Sequence, residues 1–245
     1  MMPARFLSVG DCALTVEFGD RVDHAVNDAV LRLDHALRAQ PPAGLIEAVP
    51  TFRSLTIHYD PSATSRAALE RAVAHLVDRT DVRRRDVRYW RVPVCYEGVC
   101  APDLEEVARL TRLAPAEIVA LHYAPCYRVY MLGFLPGFPY LGDLPEALRL
   151  PRRAEPRLRV PAGSVSIATS LTAIYPYESP GGWHLVGMTP IRLFDPEHSP
   201  PALLAPGDAV VFEPIDTASF AAIRSAVAAD EYRVESIPLD ECPPG

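Results

Sequence analysis

Leu14, Val16 and Phe18 alternate with polar neighbours, so Ala13–Phe18 predicts a strand with one buried face, flanking Gly10-Asp11 with a second strand at Arg5–Val9. The period then lengthens. Val22, Val26, Val30, Leu33 and Leu37 recur at helical spacing, and Gln40-Pro41-Pro42 ends that helix because proline cannot continue one. Strand-like runs return at Leu45–Val49 and Ser54–Tyr59, Asp60-Pro61 turns the chain, and Leu69, Ala72, Val73 and Leu76 mark a second helix. The order ββαββα predicts a small α+β, sandwich-like domain with its helices on one face of an antiparallel sheet.

Thr80–Asp86 is charged and aperiodic, which places a domain boundary there and divides the chain into 1–82 and 83–245. The second region opens with a strand at Tyr89–Tyr96, alternating around Trp90, Val92 and Val94. Two short helices follow at Pro102–Leu110 and Pro115–His122. Asp103, Glu105 and Glu106 suit the positive start of the first, and Pro115 suits the first position of the second. From Tyr127 to Gly207–Phe212 the signals are strands and turns, so the expected architecture is a β-barrel.

Composition narrows the chemistry. The chain has 245 residues and a formal charge of −7, which gives no electrostatic basis for general nucleic-acid binding; Arg83-Arg84-Arg85 and Arg152-Arg153 are short clusters. No run approaches the roughly 18 apolar residues of a membrane span, and no secretory signal opens the sequence, so a cytoplasmic location is expected. The cysteines, Cys12, Cys95, Cys100, Cys126 and Cys242, are odd in number and lack zinc-site spacing, so reduced thiols are expected. All 24 basic residues are arginine. Without lysine the polypeptide supplies no Walker A lysine, no Schiff base, no biotinyl carrier and no Ser-x-x-Lys pair. His24, His35, His58 and His75 lack His-Glu-x-x-His spacing, and no metal is assigned.

Three Gly/Pro-rich segments lie close together: Gly133–Gly142, Val160–Val165 and Ser179–His184. Glycine, proline and interleaved aromatics suit either shaped loops around a cleft or plain barrel turns. His184 stands beside Gly181-Gly182-Trp183 and reads as an imidazole offered to a ligand or as an exposed loop histidine. Arg157 and Arg159 alternate toward one strand face, a candidate anion clamp or a solvated face. Ser164 and Ser166 lack the Gly-x-Ser-x-Gly frame of a serine hydrolase.

The segments Gly133–Leu141, Pro156–Val165 and Tyr175–Pro190, with Leu121-His122, Tyr127–Tyr130, Val9–Leu14 and Thr51–Leu55, resemble the family containing the B subunit of 5-oxoprolinase, allophanate hydrolase subunit 1 and the kinase inhibitor KipI. The resemblance implies a cyclophilin-like barrel for the second domain. It also implies membership of an ATP-dependent 5-oxoprolinase, a hydrolase complex in which this chain is inactive without its partners. Those partners are a second barrel protein, of the allophanate hydrolase subunit 2 type or the type of the 5-oxoprolinase C subunit, and the A subunit of 5-oxoprolinase. A KipI-like inhibitor of a histidine kinase and a urea amidolyase-type component are the alternatives.

The resemblance raises His122, otherwise a cap or packing residue, to a site candidate. Arg53, in Thr51-Phe52-Arg53-Ser54, is either a contributor across the domain junction or a surface ion pair. The reading nominates His184 and Arg159 for catalysis, and Arg157, His122, Phe134, Pro136, Gly137, Phe138, Tyr140, Gly163, Ser164, Gly181, Gly182 and Trp183 for substrate binding. Two departures stand out: Thr169-Ser170-Leu171 replaces a common Gly-Gly-Gln, and Met188 stands where arginine is common.

Overall fold

A computed structural model describes residues 4–77, 87–234 and 236–237. The Thr80–Asp86 segment, its arginine cluster and Cys242 lie outside the described residues. The chain divides into two compact units, Met1–Asp86 and Val87–Gly245.

In the first unit, β1 (Arg5–Val9), β2 (Ala13–Glu17), α1 (His24–Ala39), β3 (Leu45–Pro50), β4 (Ser54–Tyr59) and α2 (Arg66–Val77) follow the expected ββαββα order. The strands form an antiparallel sheet in the order β1-β2-β4-β3. Leu14, Val16, Leu55 and Ile57 pack with Val30, Leu33 and Leu37 of α1 and Leu69 and Val73 of α2 in one buried cluster. The first helix starts later than its apolar period suggests. Asp23 caps it by accepting from the Val26 N–H at 2.8 Å, which leaves Val22 outside. Fully buried Asn27 donates from α1 to the carbonyls of Thr51 and Phe52, holding the β3–β4 turn. Arg53 stays local, bonding Glu17 and the Gly19 carbonyl, each at 2.6 Å.

The second unit contains β5 (Tyr89–Cys95), α3 (Leu104–Thr111), α4 (Pro115–Tyr123), β6 (Cys126–Leu132), β7 (Pro139–Leu141), β8 (Arg157–Val160), β9 (Ser164–Ala168), β10 (Leu171–Ile174), β11 (Ser179–Gly181), β12 (His184–Met188), β13 (Ala209–Ile215), α5 (Thr217–Ala228) and β14 (Ser236–Ile237). Pairings run β5-β13-β6-β7-β10-β9-β12 and back to β5, closing a barrel, while β8 and β11 form a separate pair. Closure removes the edges that an open sheet would expose. Only the β13–β5 contact in this ring is parallel. Its strands come from opposite ends of the unit, so no hairpin constrains their direction. Val92, Val94, Val129, Val165, Ile167, Val186 and Phe212 belong to the barrel's main apolar cluster.

Two features depart from the sequence expectation. The helix α5 was not foreseen: its alanine-rich face carries a weak apolar period, although Asp216 caps it by accepting from Ser219 N–H at 2.7 Å. Cys126 is disulfide-bonded, against the expected reduced state, whereas Cys12, Cys95 and Cys100 are free.

Candidate functional site

The loop after β6, strand β7 and the turns after β10 and β11 bring aromatic rings into one cluster. Phe138 meets Tyr175 edge-on at 5.0 Å between centroids and Tyr140 at 5.0 Å, and Tyr140 meets Trp183 at 6.0 Å. Phe138, Tyr175 and Trp183 are buried, while half-buried Tyr140 forms the edge of the shelf. A Cβ on Gly181 would stand 2.2 Å from the Tyr175 hydroxyl oxygen, so a larger residue would push that ring away. The exposed Arg152 guanidinium lies 6.0 Å from the Trp183 ring centroid. It forms no ion pair with a carboxylate among the described residues. Burial is the main cause pushing the Tyr175 hydroxyl up to about 12, with Arg152 and Arg157 pulling it down, so it stays a proton donor at neutral pH.

Behind the shelf lies a buried carboxylate. Asp103, 3% exposed, accepts from Arg157 Nη1 at 2.9 Å, Arg157 Nη2 at 2.5 Å and the Leu185 N–H at 2.7 Å. Arg153 also donates to Asp103, at 3.3 Å, and pairs with Glu106. This corrects the expected arginine clamp. Arg157 is held inward by Asp103, while Arg159, with its side chain 78% exposed, pairs with Glu178 at 2.8 and 3.1 Å. The two guanidiniums answer different carboxylates and do not converge on one point.

His184, 3% exposed, sits next to Trp183 and donates from Nε2 to the Pro151 carbonyl at 3.1 Å, because a carbonyl can only accept. In the neutral ring Nδ1 is then the acceptor nitrogen, and that atom is buried without a hydrogen-bond partner. The exposed-loop reading of His184 is corrected by this burial. His122 belongs to the barrel core instead of a surface site: it is 0% exposed and stacks on Phe212 at 4.9 Å. The Thr172 hydroxyl donates to Ser166 O at 3.0 Å, so it accepts from His122 Nε2 at 2.9 Å, and Nδ1 accepts from the Tyr96 hydroxyl at 2.8 Å. Burial lowers the His122 pKa to about 3, which keeps it neutral.

The remaining candidates divide between two places. Exposed Phe134 meets Phe138 edge-on at 5.4 Å, near the shelf. Pro136 is exposed in the same loop, where Gly137 packs on Phe194. Gly182 accepts from the Arg153 N–H at 2.8 Å. Gly163 and Met188 line a separate cleft, while the buried Ser164 Oγ has no hydrogen-bond partner. Of the family departures, Leu171 packs at the margin of the aromatic cluster and Thr169 sits at φ +54° in the turn before it.

Asp103, Arg152, Arg153 and Tyr175 were not singled out from sequence as site residues. Asp103 reads there as a helix-start carboxylate, yet it makes no side-chain cap. No cluster of His, Cys, Asp or Glu among the described residues could hold a metal ion. Nor is any described helix long and apolar enough to cross a membrane.

The chain combines a sheet-and-helix unit, first in sequence, with a closed barrel. Residues 4–204 match the family described as carboxyltransferase domain, subdomain C and D, and the protein belongs to that family. It is 40% identical over 230 residues to the 5-oxoprolinase B subunit of Bacillus subtilis (strain 168), covering 88% of this chain and 95% of that one. It is 41% identical over 215 residues to the 5-oxoprolinase B subunit of Escherichia coli O157:H7, covering 87% and 97%. The crystal structure of TTHA0988 aligns over 83% of this chain with a TM-score of 0.75 and 42% identity, and this chain spans 40% of that longer one.

Proposed function

We propose that this chain is the B subunit of an ATP-dependent 5-oxoprolinase, acting in the cytoplasm as one part of a hydrolase complex. The observation that carries this reading is 40% identity over 95% of the length of a relative bearing that name. The proposed partners are a second barrel protein, of the allophanate hydrolase subunit 2 type or the type of the 5-oxoprolinase C subunit, and the A subunit of 5-oxoprolinase.

The aromatic shelf suits such a substrate. 5-Oxoproline is a small, flat lactam bearing a carboxylate. Arg152 offers a guanidinium free of any described carboxylate, and Trp183 and Tyr140 offer ring surface beside it. In the complex, the γ-phosphoryl group of ATP passes to the lactam oxygen and ADP leaves. Water then adds to the activated carbon and the ring C–N bond opens to give an acyl phosphate of glutamate, which a second water hydrolyses to glutamate and phosphate. Activation is needed because an unstrained amide is a poor electrophile. This chain's part is to bind and orient the lactam, with Arg157 braced behind the shelf and His184 Nδ1 as its candidate proton acceptor. Arg159, occupied by Glu178 in solvent, has no part in it.

The test is co-expression with the two partner proteins, followed by an assay of ATP hydrolysis with and without 5-oxoproline. Stimulation by 5-oxoproline in the complex, and none with this chain alone, is the expected result. A purified complex that hydrolyses no ATP in response to 5-oxoproline would sink the reading.

A further inference from the structure

A cleft of about 560 Å³ lies between the Gly163 turn, the Tyr177 loop, the segment after β12 and helix α5. Its size falls in the range of small-molecule sites, roughly 300–1,000 Å³. The sequence builds it rigidly. Pro176, Pro190 and Pro196 fix the backbone of its rim. Gly163, at φ +83°, brings its Cα so close to the Thr189 carbonyl that a Cβ there would lie 2.4 Å from that oxygen.

The lining joins flat apolar surface to one uncompensated cation. Tyr177 and Phe194 meet edge-on at 6.1 Å, leaving a ring face for stacking. Arg224 stands over the Phe220 ring, 5.4 Å from its centroid, and forms no ion pair with a carboxylate among the described residues. The other charges near the cleft are already matched. Arg192 pairs with Asp195 at 2.5 Å, with His198 also 3.2 Å from that carboxylate. Asp230, close by, is held by Arg233 at 2.5 and 2.9 Å.

We infer that this cleft is a nucleotide site: an oxyanion seats on Arg224 and a flat base lies against Tyr177 and Phe194. A guanidinium is the one permanent side-chain cation this lysine-free chain has for binding phosphate, and its planar fork matches phosphate oxygens. A lactam as small as 5-oxoproline would fill little of the volume, whereas a base, sugar and phosphates match it. The inference rests on the 5-oxoprolinase reading only for which nucleotide is used, namely ATP.

The experiment is calorimetric titration of the full chain with ATP, adenosine, tripolyphosphate and 5-oxoproline, repeated on Arg224→Ala, Tyr177→Ala and the charge control Arg38→Ala, on helix α1 of the first unit. ATP is expected to bind the parent more tightly than adenosine or tripolyphosphate, since each of those lacks one half of the match. Arg224→Ala should weaken ATP at least tenfold, Tyr177→Ala severalfold, and Arg38→Ala not at all. Both cleft residues are exposed, and matching thermal unfolding of the variants establishes that they are folded. Absence of ATP binding to the parent, or equal binding by all variants, overturns the inference. A complex that still hydrolyses ATP in response to 5-oxoproline, with an unchanged KM for ATP in Arg224→Ala and Tyr177→Ala, overturns the cleft assignment while leaving the proposed function standing.

Discussion

Arg157 grips Asp103 with both arms of its guanidinium, Nη1 to Oδ2 at 2.9 Å and Nη2 to Oδ1 at 2.5 Å, and thereby ties strand β8 to the start of helix α3. Asp103 also takes the Leu185 N–H at the start of β12, so one carboxylate joins three elements behind the aromatic shelf. Breaking a buried pair leaves an uncompensated charge, which costs more than the pair is worth intact. Asp103→Asn is therefore expected to lower stability by about 3 kcal/mol, the low end for such a pair because Arg157 keeps some contact with solvent. Urea unfolding measures this, and a loss below about 1 kcal/mol would assign the pair to the weak surface class.

Arg159 is the opposite case. Its pairing with Glu178 is exposed on both sides, where water and salt screen it and it adds little to stability. Arg159→Ala should leave the unfolding midpoint essentially unchanged and leave the KM for 5-oxoproline unchanged in the complex. Arg152→Ala should raise that KM by about 10-fold to 100-fold, the loss of one charge-assisted contact of about 1.5–3 kcal/mol. Steady-state kinetics of the two variants side by side decides it, and equal KM values would remove Arg152 from the substrate site.

Thr169 occupies the left-handed region at φ +54°, an outlier for a β-branched residue, in the turn between β9 and β10. The strain of such a conformation is about 1–2 kcal/mol, and glycine's extra freedom in the unfolded chain takes back about 0.5–1 kcal/mol. Thr169→Gly should then raise stability by about 0.5–1 kcal/mol, despite losing the Thr169 hydroxyl bond to Ala168 O. A lower denaturation midpoint for the variant would contradict this.

His122 makes stability depend on pH. Burial drops its pKa from 6.5 to about 3, so the unfolded chain binds more protons than the native one between those values. Stability is full above pH 6.5 and falls as pH drops through that window, by about 2 kcal/mol between pH 6.5 and 5 from this group alone. Comparing unfolding of the parent and His122→Gln at about pH 7 and about pH 5 isolates the contribution. The variant should show the shallower slope, and parallel slopes would contradict the burial argument.

Much of this architecture was written in short-range periodicity. Leu14-x-Val16 and the Val26–Leu37 stripe placed the first unit's strands and helix, and each met partners in one core. Barrel closure through β12 and β5 could not be read that way, because it joins Met188 to Cys95, far apart in the chain. The aromatic cluster of the candidate site was legible in part. Phe138, Tyr140, Gly181 and Trp183 carried signals in their aromatic and glycine chemistry and do come together. Asp103 carried none, since a carboxylate at a helix start looks like a cap until Arg157 is seen on it. Two-residue spacing put Arg157 and Arg159 on one strand face, but the neighbouring Asp103 and Glu178 decided where each guanidinium went.

The most direct measurement is ATP hydrolysis by the reconstituted complex of this chain with its two proposed partners, recorded with 5-oxoproline present and absent. The account predicts phosphate release that depends on 5-oxoproline and yields glutamate, with neither seen for this chain alone. Phosphate release indifferent to 5-oxoproline, or no glutamate formed by the intact complex, would contradict it.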